Sequence, residues 1–471
     1  VDEIVIRGGR PLAGTVRVGG AKNAALPILF ASLLTEDTCV VDNLPGVVDC
    51  RTTVRLLAGL GADVDTAPGR AVIRAAQVDH FEAPYELVKT MRASFLALGP
   101  LLARFGEARV ATPGGCAIGS RPVDIHEMGL ACLGAEIAHS HGYVRARAPS
   151  GGLRGARVVL PFPSVGATEN IMLAAALARG TTVIENAARE PEIVDLGRVL
   201  GAMGAGVRGA GTAVVEVEGR ERLGGFHHHV IPDRIEAGTF LIAAAAAGGE
   251  VTVEGARSDD LEALLERLAE AGVEITPIDT GLRVRRSDGL TAVDVTTSPH
   301  PGFPTDLQAQ FMALMCFADG ASTITETIFE NRFMHVQELA RMGADIRVEG
   351  ARAVVRGGKA LEGAPVMATD LRASVCLVVA ALAAQNTTRL QRVYHLDRGY
   401  EGLEVKLSGL GASIERVSAP RTAPQEVVAA TALMARSRLG VRRARDPQHD
   451  LTAADRGSEA RRSRRRARSR E

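Results

Sequence analysis

Tryptophan is absent from this 471-residue chain, and aromatic residues make up only 3% of it. A core must therefore be filled by Ala, Val, Leu and Ile rather than by large rings. Long apolar runs are missing as well: stretches such as residues 375–384 fall far short of the ~18 apolar residues that a membrane span needs. No charged-then-apolar leader opens the sequence, so no secretion signal is expected. Val1 in place of Met points to an alternative start codon or a trimmed beginning. The six cysteines (Cys39, Cys50, Cys116, Cys132, Cys316, Cys376) are scattered without CxxC or similar pairing. That pattern argues against a disulfide framework and a zinc cluster, and it fits a reducing cytoplasm. Neither a Walker loop nor a strand-following GxGxxG occurs, so ordinary nucleoside-triphosphate or dinucleotide machinery is not indicated.

What is present begins with size: 46% hydrophobic residues over this length predict two domains rather than one. The formal net charge of zero hides an asymmetry. Residues 417–471 hold fourteen Arg and no Lys against six acidic residues, a balance of +8, which leaves −8 for residues 1–416. Residues 461–470 are nearly pure Arg and Ser, and such a run cannot bury enough apolar surface to fold alone. A disordered, solvated tail is expected there, with contact to nucleic acid or anionic lipid as the less favoured reading.

The most informative feature is internal repetition. A short signature recurs at Leu60-Gly61-Ala62-Asp63-Val64, Leu133-Gly134-Ala135-Glu136-Ile137 and Met203-Gly204-Ala205-Gly206-Val207. It returns at Ala271-Gly272-Val273-Glu274-Ile275, Met342-Gly343-Ala344-Asp345-Ile346 and Leu410-Gly411-Ala412-Ser413-Ile414. The glycines lie 73, 70, 68, 71 and 68 residues apart. Each unit reads alike. An all-round apolar helix (residues 24–34, 94–103, 171–178, 309–317) precedes a β-branched strand such as Thr181-Thr182-Val183-Ile184 or Ser322-Thr323-Ile324-Thr325. A loop then leads to an amphipathic helix, for example residues 261–271, that ends at the signature glycine. Three such units around an axis, twice over, predict two similar α/β domains.

Polar groups with chemical potential concentrate at two equivalent places in these units. The start of the buried helix carries Lys22 and Asn23, Arg92, Glu169 and Asn170, Glu236, Asp306, and Arg372. The loop before the second helix carries Cys116 and Arg121, Glu190, Asn331 and Arg332, and Asp397 and Arg398. Helix N-termini favour anions, and Lys22, Arg92, Arg121, Arg332, Arg372 and Arg398 at such positions predict a cleft for phosphate and carboxylate. Cys116 lies in the flexible loop Pro113-Gly114-Gly115-Cys116-Ala117-Ile118-Gly119-Ser120-Arg121-Pro122, where nearby positive charge favours a reactive thiol. The other five cysteines are expected to be inert core residues. His227-His228-His229 cannot easily converge on one ion and is expected to be a linker.

The chain resembles the enolpyruvyl transferase family, and within it the enzymes that act on UDP-N-acetylglucosamine. The stretches that carry the resemblance are Gly20-Ala21-Lys22-Asn23-Ala24-Ala25-Leu26-Pro27, the Cys116 loop through Asp124, and Ser164-Val165-Gly166-Ala167-Thr168. Others are Pro301-Gly302-Phe303-Pro304-Thr305-Asp306, Glu330-Asn331-Arg332-Phe333, Asp370-Leu371-Arg372 and Leu396-Asp397-Arg398-Gly399-Tyr400. Together they span roughly residues 1–416. The resemblance implies two inside-out α/β barrels, each of three βαβαββ-like units. One domain would comprise residues 1–21 plus 230–416, the other residues 22–229, with 417–471 as the tail. Transfer of enolpyruvyl from phosphoenolpyruvate to the 3′-hydroxyl of UDP-N-acetylglucosamine is implied, releasing phosphate, in cytoplasmic peptidoglycan precursor synthesis. The alternative is a related transferase acting on another nucleotide or sugar nucleotide in antibiotic synthesis.

No metal or organic cofactor is implied, because the phosphorylated enol is itself the activated group. Asp306 is the candidate base, and the resemblance assigns Cys116 the proton for the vinyl carbon and a liability to the epoxide fosfomycin. Lys22, Arg121 and Arg398 would hold phosphate and carboxylate, supported by Arg332 and Arg372. Asn23 would hold the sugar. Arg121, Pro122, Val123, Asp124 and Ile125 with Ser164, Val165 and Gly166 would cradle the nucleotide, while Arg92 and Ile328 complete the substrate-binding set.

Overall fold

The six units fold into six four-stranded sheets that share one pairing order. The computed structural model describes residues 2–89, 91–112, 123–286 and 289–418. In each sheet an edge strand pairs in parallel with its neighbour, and two antiparallel pairings complete the order. Arg157–Val159, Thr181–Glu185, Val214–Glu218 and Gly206–Arg208 give one example. Three sheets take a strand from a distant part of the chain. Asp2–Arg7 lies between Thr387–Gln391 and Ser413–Ser418, antiparallel to both. Leu12–Arg17 is the parallel edge beside Gly249–Glu254, and His227–His229 is the parallel edge beside Cys39–Leu44.

Helices alternate between buried and outer positions. The first unit contains α1 (Lys22–Ala31) and α2 (Val48–Gly59); the second contains a short α3 (Tyr85–Val88), α4 (Leu98–Phe105) and α5 (Asp124–Cys132). The third has α6 (Val165–Ala175) and α7 (Pro191–Ala202), and the fourth α8 (Arg234–Ala247) and α9 (Glu262–Glu270). The last two have α10 (Thr305–Met315) with α11 (Val336–Arg341), and α12 (Leu371–Ala383) with α13 (Leu403–Gly409). Helices that read as apolar all round are buried all round: residues 235–246 of α8 and 372–382 of α12 are buried without a break. The amphipathic α9, by contrast, buries only Leu264 and Leu268. One expected helix, residues 94–103, is split into a 3₁₀ turn, Arg92–Ala97, and α4. Pro100 fits the split: lacking an N–H, it costs no helical hydrogen bond in the first turn of an α-helix, and the α-helical ladder starts at Leu98.

Buried apolar residues form two clusters. One runs from Ala21 to Ile231, and the other joins Ile4–Val18 side chains to those from Ile235 to Ala412. The three buried helices of the second cluster, α8, α10 and α12, pack directly on one another.

Three expectations need correction. His227–His229 is a sheet strand rather than a linker. His227 Nε2 meets Asp42 Oδ2 at 2.5 Å, and His228 Nε2 meets the buried Asp195 at 3.0 Å. Cys132 is exposed, because it falls on the solvent side of the amphipathic α5, whereas Cys39, Cys50, Cys316 and Cys376 are buried as expected. The tail boundary moves too: Val417 and Ser418 belong to the last strand, opposite Glu3 and Asp2. Residues 419–471, which hold the rest of the expected tail, lie outside the described residues.

The signature glycines all take positive φ, from +89° at Gly272 to +110° at Gly204, just past the outer helices. That region costs an L-residue about 1–2 kcal/mol. A Cβ at Gly204 would meet nothing within 4 Å, so the cost there is purely backbone. Gly204→Ala is expected to lower unfolding stability by about 1–2 kcal/mol, read as a shift in the urea midpoint at unchanged m-value.

Candidate active site

Asp306 is the second residue of α10, and the start of that helix is fixed by a buried carboxylate. Glu326 accepts from the hydroxyls of Thr297 at 2.9 Å and Thr305 at 2.8 Å. It also accepts from the backbone N–H groups of Ile328 at 2.8 Å and Phe329 at 3.1 Å. The start of α10 and the Ile328 loop are thereby locked together. Asp306 projects its carboxylate between two buried guanidiniums: Arg332 Nη2 donates to Oδ1 at 2.7 Å and Arg372 Nη2 to Oδ2 at 2.6 Å. Burial alone would raise the Asp306 carboxyl, but Arg372 and Arg332, with a contribution from Lys22, hold it well below the usual carboxylate range. The carboxylate is ionised at any working pH.

A second carboxylate organises the remaining cations. Asp49, in the first turn of α2, is buried. It accepts from Lys22 Nζ at 3.3 Å and from Arg398 Nε and Nη2 at 3.0 and 3.4 Å. Lys22 opens α1 beside the first apolar cluster, whereas Arg398 belongs to the segment packed on the second. Close by, Glu401 Oε2 accepts from the Gly46 backbone N–H at 2.8 Å, a second link between the same two segments. Next to Lys22, Pro27 lies inside α1 and has no N–H to give the carbonyl of Asn23 four residues earlier. One acceptor of this expected sugar-binding residue is thus released from the helical ladder.

The expected nucleotide cradle is brought together in part. Ser164 caps α6, accepting from Ala167 N at 3.4 Å, so Val165 and Gly166 form its first turn. Val123 precedes α5, and Asp124 and Ile125 open it. His126 of α5 comes so near Gly166 that a Cβ there would meet its ring at 3.2 Å. The two helix starts therefore adjoin, an arrangement suited to an anion. Arg92 opens its 3₁₀ turn. Cys116, Arg121 and Pro122 lie outside the described residues.

Other members of the repeat-equivalent set prove structural. Asn170 is buried, accepting from Gly99 N at 2.8 Å and donating to Phe95 O at 3.3 Å, which ties α6 to α4. Glu236 pairs with Lys406 at 2.6 Å, and Asp397 with Arg416 at 2.5 Å. Asp49 was missed, because in the sequence it is an ordinary acid in the first turn of a helix.

Fold and site together define a carboxyvinyl transferase. A family profile described as EPSP synthase (3-phosphoshikimate 1-carboxyvinyltransferase) matches residues 6–407. The crystal structure of the enolpyruvyl transferase NikO from Streptomyces tendae is similar, with a TM-score of 0.80 and 26% identity over 89% of this chain and 99% of that one. EPSP synthase from Acinetobacter baumannii shares the fold at a TM-score of 0.69 and 19% identity, covering 89% of this chain and 100% of that one. Sequence relatives are far nearer. The UDP-N-acetylglucosamine 1-carboxyvinyltransferase of Geotalea uraniireducens is 56% identical over 417 residues, 88% of this chain and all of that protein. That of Sorangium cellulosum is 58% identical over 419 residues, 88% of this chain and 99% of its own. The chain belongs to the UDP-N-acetylglucosamine 1-carboxyvinyltransferase family.

Two histidines shape the response of the fold to acid. Burial pushes His335 down to about 4, Arg332 adding to the effect against Asp370, and burial likewise lowers His300 to about 4. Both favour the neutral ring in the fold. Their contribution is complete above the ordinary histidine value of about 6.5 and is lost as pH falls from there toward about 4. The thermal midpoint is therefore expected to drop between pH 7 and pH 5, and His335→Gln to flatten that drop. Equal slopes for both proteins would contradict the assignment.

Proposed function

We propose that the chain transfers the enolpyruvyl unit of phosphoenolpyruvate to the 3′-hydroxyl of UDP-N-acetylglucosamine, releasing phosphate, in cytoplasmic peptidoglycan precursor synthesis. The observation that carries this reading is the ionised Asp306 at a helix start, gripped by Arg332 and Arg372 and felt by Lys22. Identity of 56% and more to transferases of that name, against 26% to NikO, favours this acceptor over the related-transferase alternative. The finer architecture proposed is two inside-out α/β barrels of three units each. Residues 1–21 with 230–416 would form one and residues 22–229 the other, in keeping with two separate apolar clusters.

The chemistry is addition followed by elimination. Asp306 takes the proton of the attacking sugar hydroxyl while Cys116 supplies one to C3 of phosphoenolpyruvate; in the elimination C3 gives up a proton as the C2–O bond to phosphate breaks, which restores the double bond and releases phosphate. A carboxylate held so far below its ordinary range is a weak base while both guanidiniums grip it. As the phosphate and carboxylate of phosphoenolpyruvate arrive, they offset the charge of Arg332 and Arg372, which raises the basicity of Asp306 while its hydrogen bonds keep its direction. Lys22, Arg121 and Arg398 bind those anions and offset charge in the tetrahedral intermediate. Asn23 orients the sugar. Val123, Asp124 and Ile125 with Ser164, Val165 and Gly166 hold the nucleotide beside the two helix starts, helped by Arg92, Pro122 and Ile328.

Purified protein is expected to release phosphate only when both substrates are present, and to lose that activity after incubation with fosfomycin. Asp306→Asn should lower kcat by about a hundredfold or more, and Cys116→Ser should keep nucleotide binding while losing most turnover. Release with shikimate 3-phosphate but not with UDP-N-acetylglucosamine would overturn the reading.

A further inference from the structure

Four polar side chains meet inside the packing of α8, α10 and α12. Thr239 comes from α8, Gln310 from α10 and Arg372 from α12, and Tyr400 enters just after the 3₁₀ turn Val393–Arg398. All four are buried. Polar groups in such a place cost stability unless their hydrogen bonds are made. Counting protons shows how most of these are made, although Gln310 Oε1 has no partner among the described residues. The Thr239 hydroxyl has one proton and gives it to the carbonyl of Ile235 at 2.7 Å. Its oxygen can then only accept across the 2.9 Å contact with Tyr400, so the Tyr400 hydroxyl donates to Thr239. The lone pairs of Tyr400 are left facing Arg372 Nη1 at 3.3 Å and Gln310 Nε2 at 3.4 Å. Gln310 Nε2 also donates to the carbonyl of Asp306 at 3.0 Å.

Arg372 is thus held at both terminal nitrogens. Tyr400 accepts from Nη1, and Asp306 accepts from Nη2 at 2.6 Å. We propose that Tyr400 is a positioning residue for the transfer: its hydroxyl sets the Arg372 fork, and through it the direction of the Asp306 carboxylate. This rests on the functional reading above, in which Asp306 must face the attacking hydroxyl. A guanidinium is planar, so releasing one nitrogen lets the whole fork turn and carries the carboxylate with it. Catalytic geometry is sensitive to shifts of this kind, whereas nucleotide binding elsewhere in the cleft is not.

The test is steady-state kinetics on the full chain. Tyr400→Phe is expected to lower kcat about tenfold, as loss of a hydrogen bond to a charged group does, with KM for UDP-N-acetylglucosamine changed less than about twofold. In an Arg372→Lys background the same substitution should add nothing, because the group it acts through is already gone. Thr239→Val, which removes the acceptor that aims the phenol proton, should slow the enzyme in the same direction and by less. It should have no further effect in Tyr400→Phe, and it stands as the test should Tyr400→Phe fail to fold. A wild-type kcat in Tyr400→Phe, or full multiplication of its effect with that of Arg372→Lys, would overturn the inference. Absence of phosphate release by the wild-type chain would instead remove the functional reading itself, and the inference with it.

Discussion

A single carboxylate between two buried guanidiniums sets the terms for everything around it. Asp306 brings one negative charge to a place where Arg332 and Arg372 bring two positive ones, and Lys22 adds its field. Two like charges could not remain buried side by side without that counter-charge, since the desolvation of each is worth several kcal/mol. Between Asp306 and its two guanidiniums the balance is positive. Asp49 repeats the arrangement with Lys22 and Arg398, again two cations to one carboxylate, while Asp233 and Glu401 bring further negative charge nearby. Each of the two carboxylates thus fixes a pair of basic side chains in place.

The scaffold serves this arrangement by making helix starts rigid. Glu326 fixes the beginning of α10 with four accepted hydrogen bonds, and Asp370 caps α12 through the N–H groups of Arg372 and Ala373. The bodies of α8, α10 and α12 are buried on every side, so apolar packing holds the helices while these polar contacts hold their first residues. Chemistry thus sits on the most stable elements of the fold.

Much of this was legible in the sequence because repetition exposes it. The six signature glycines located the ends of all six outer helices, and unbroken apolar stretches marked the buried ones. Lys22, Asp306 and Arg372 could be picked out because charges at the edges of such stretches are conspicuous, and Arg332 and Arg398 because they recur in the loop before the second helix. Residues whose role depends on a distant partner were not legible. Asp49 reads as an ordinary helix-start acid until Arg398 is seen beside it, 349 positions later. His227–His229 has too little apolar alternation to read as a strand, since only pairing with Cys39–Leu44 makes it one. Tyr400 looks like core, which it also is. In each case the missing information was a contact between segments far apart along the chain.

The placement of Asp2–Arg7 in the sheet completed by Ser413–Ser418 bears on how the molecule is made. In sequence order this strand must stay unpaired until its two neighbours, Thr387–Gln391 and Ser413–Ser418, have followed it. The Ala21–Ile231 cluster, by contrast, holds all its own strands once His227–His229 has appeared. That cluster can therefore assemble early in synthesis, while Asp2–Arg7 waits with both edges unpaired for neighbours far along the chain.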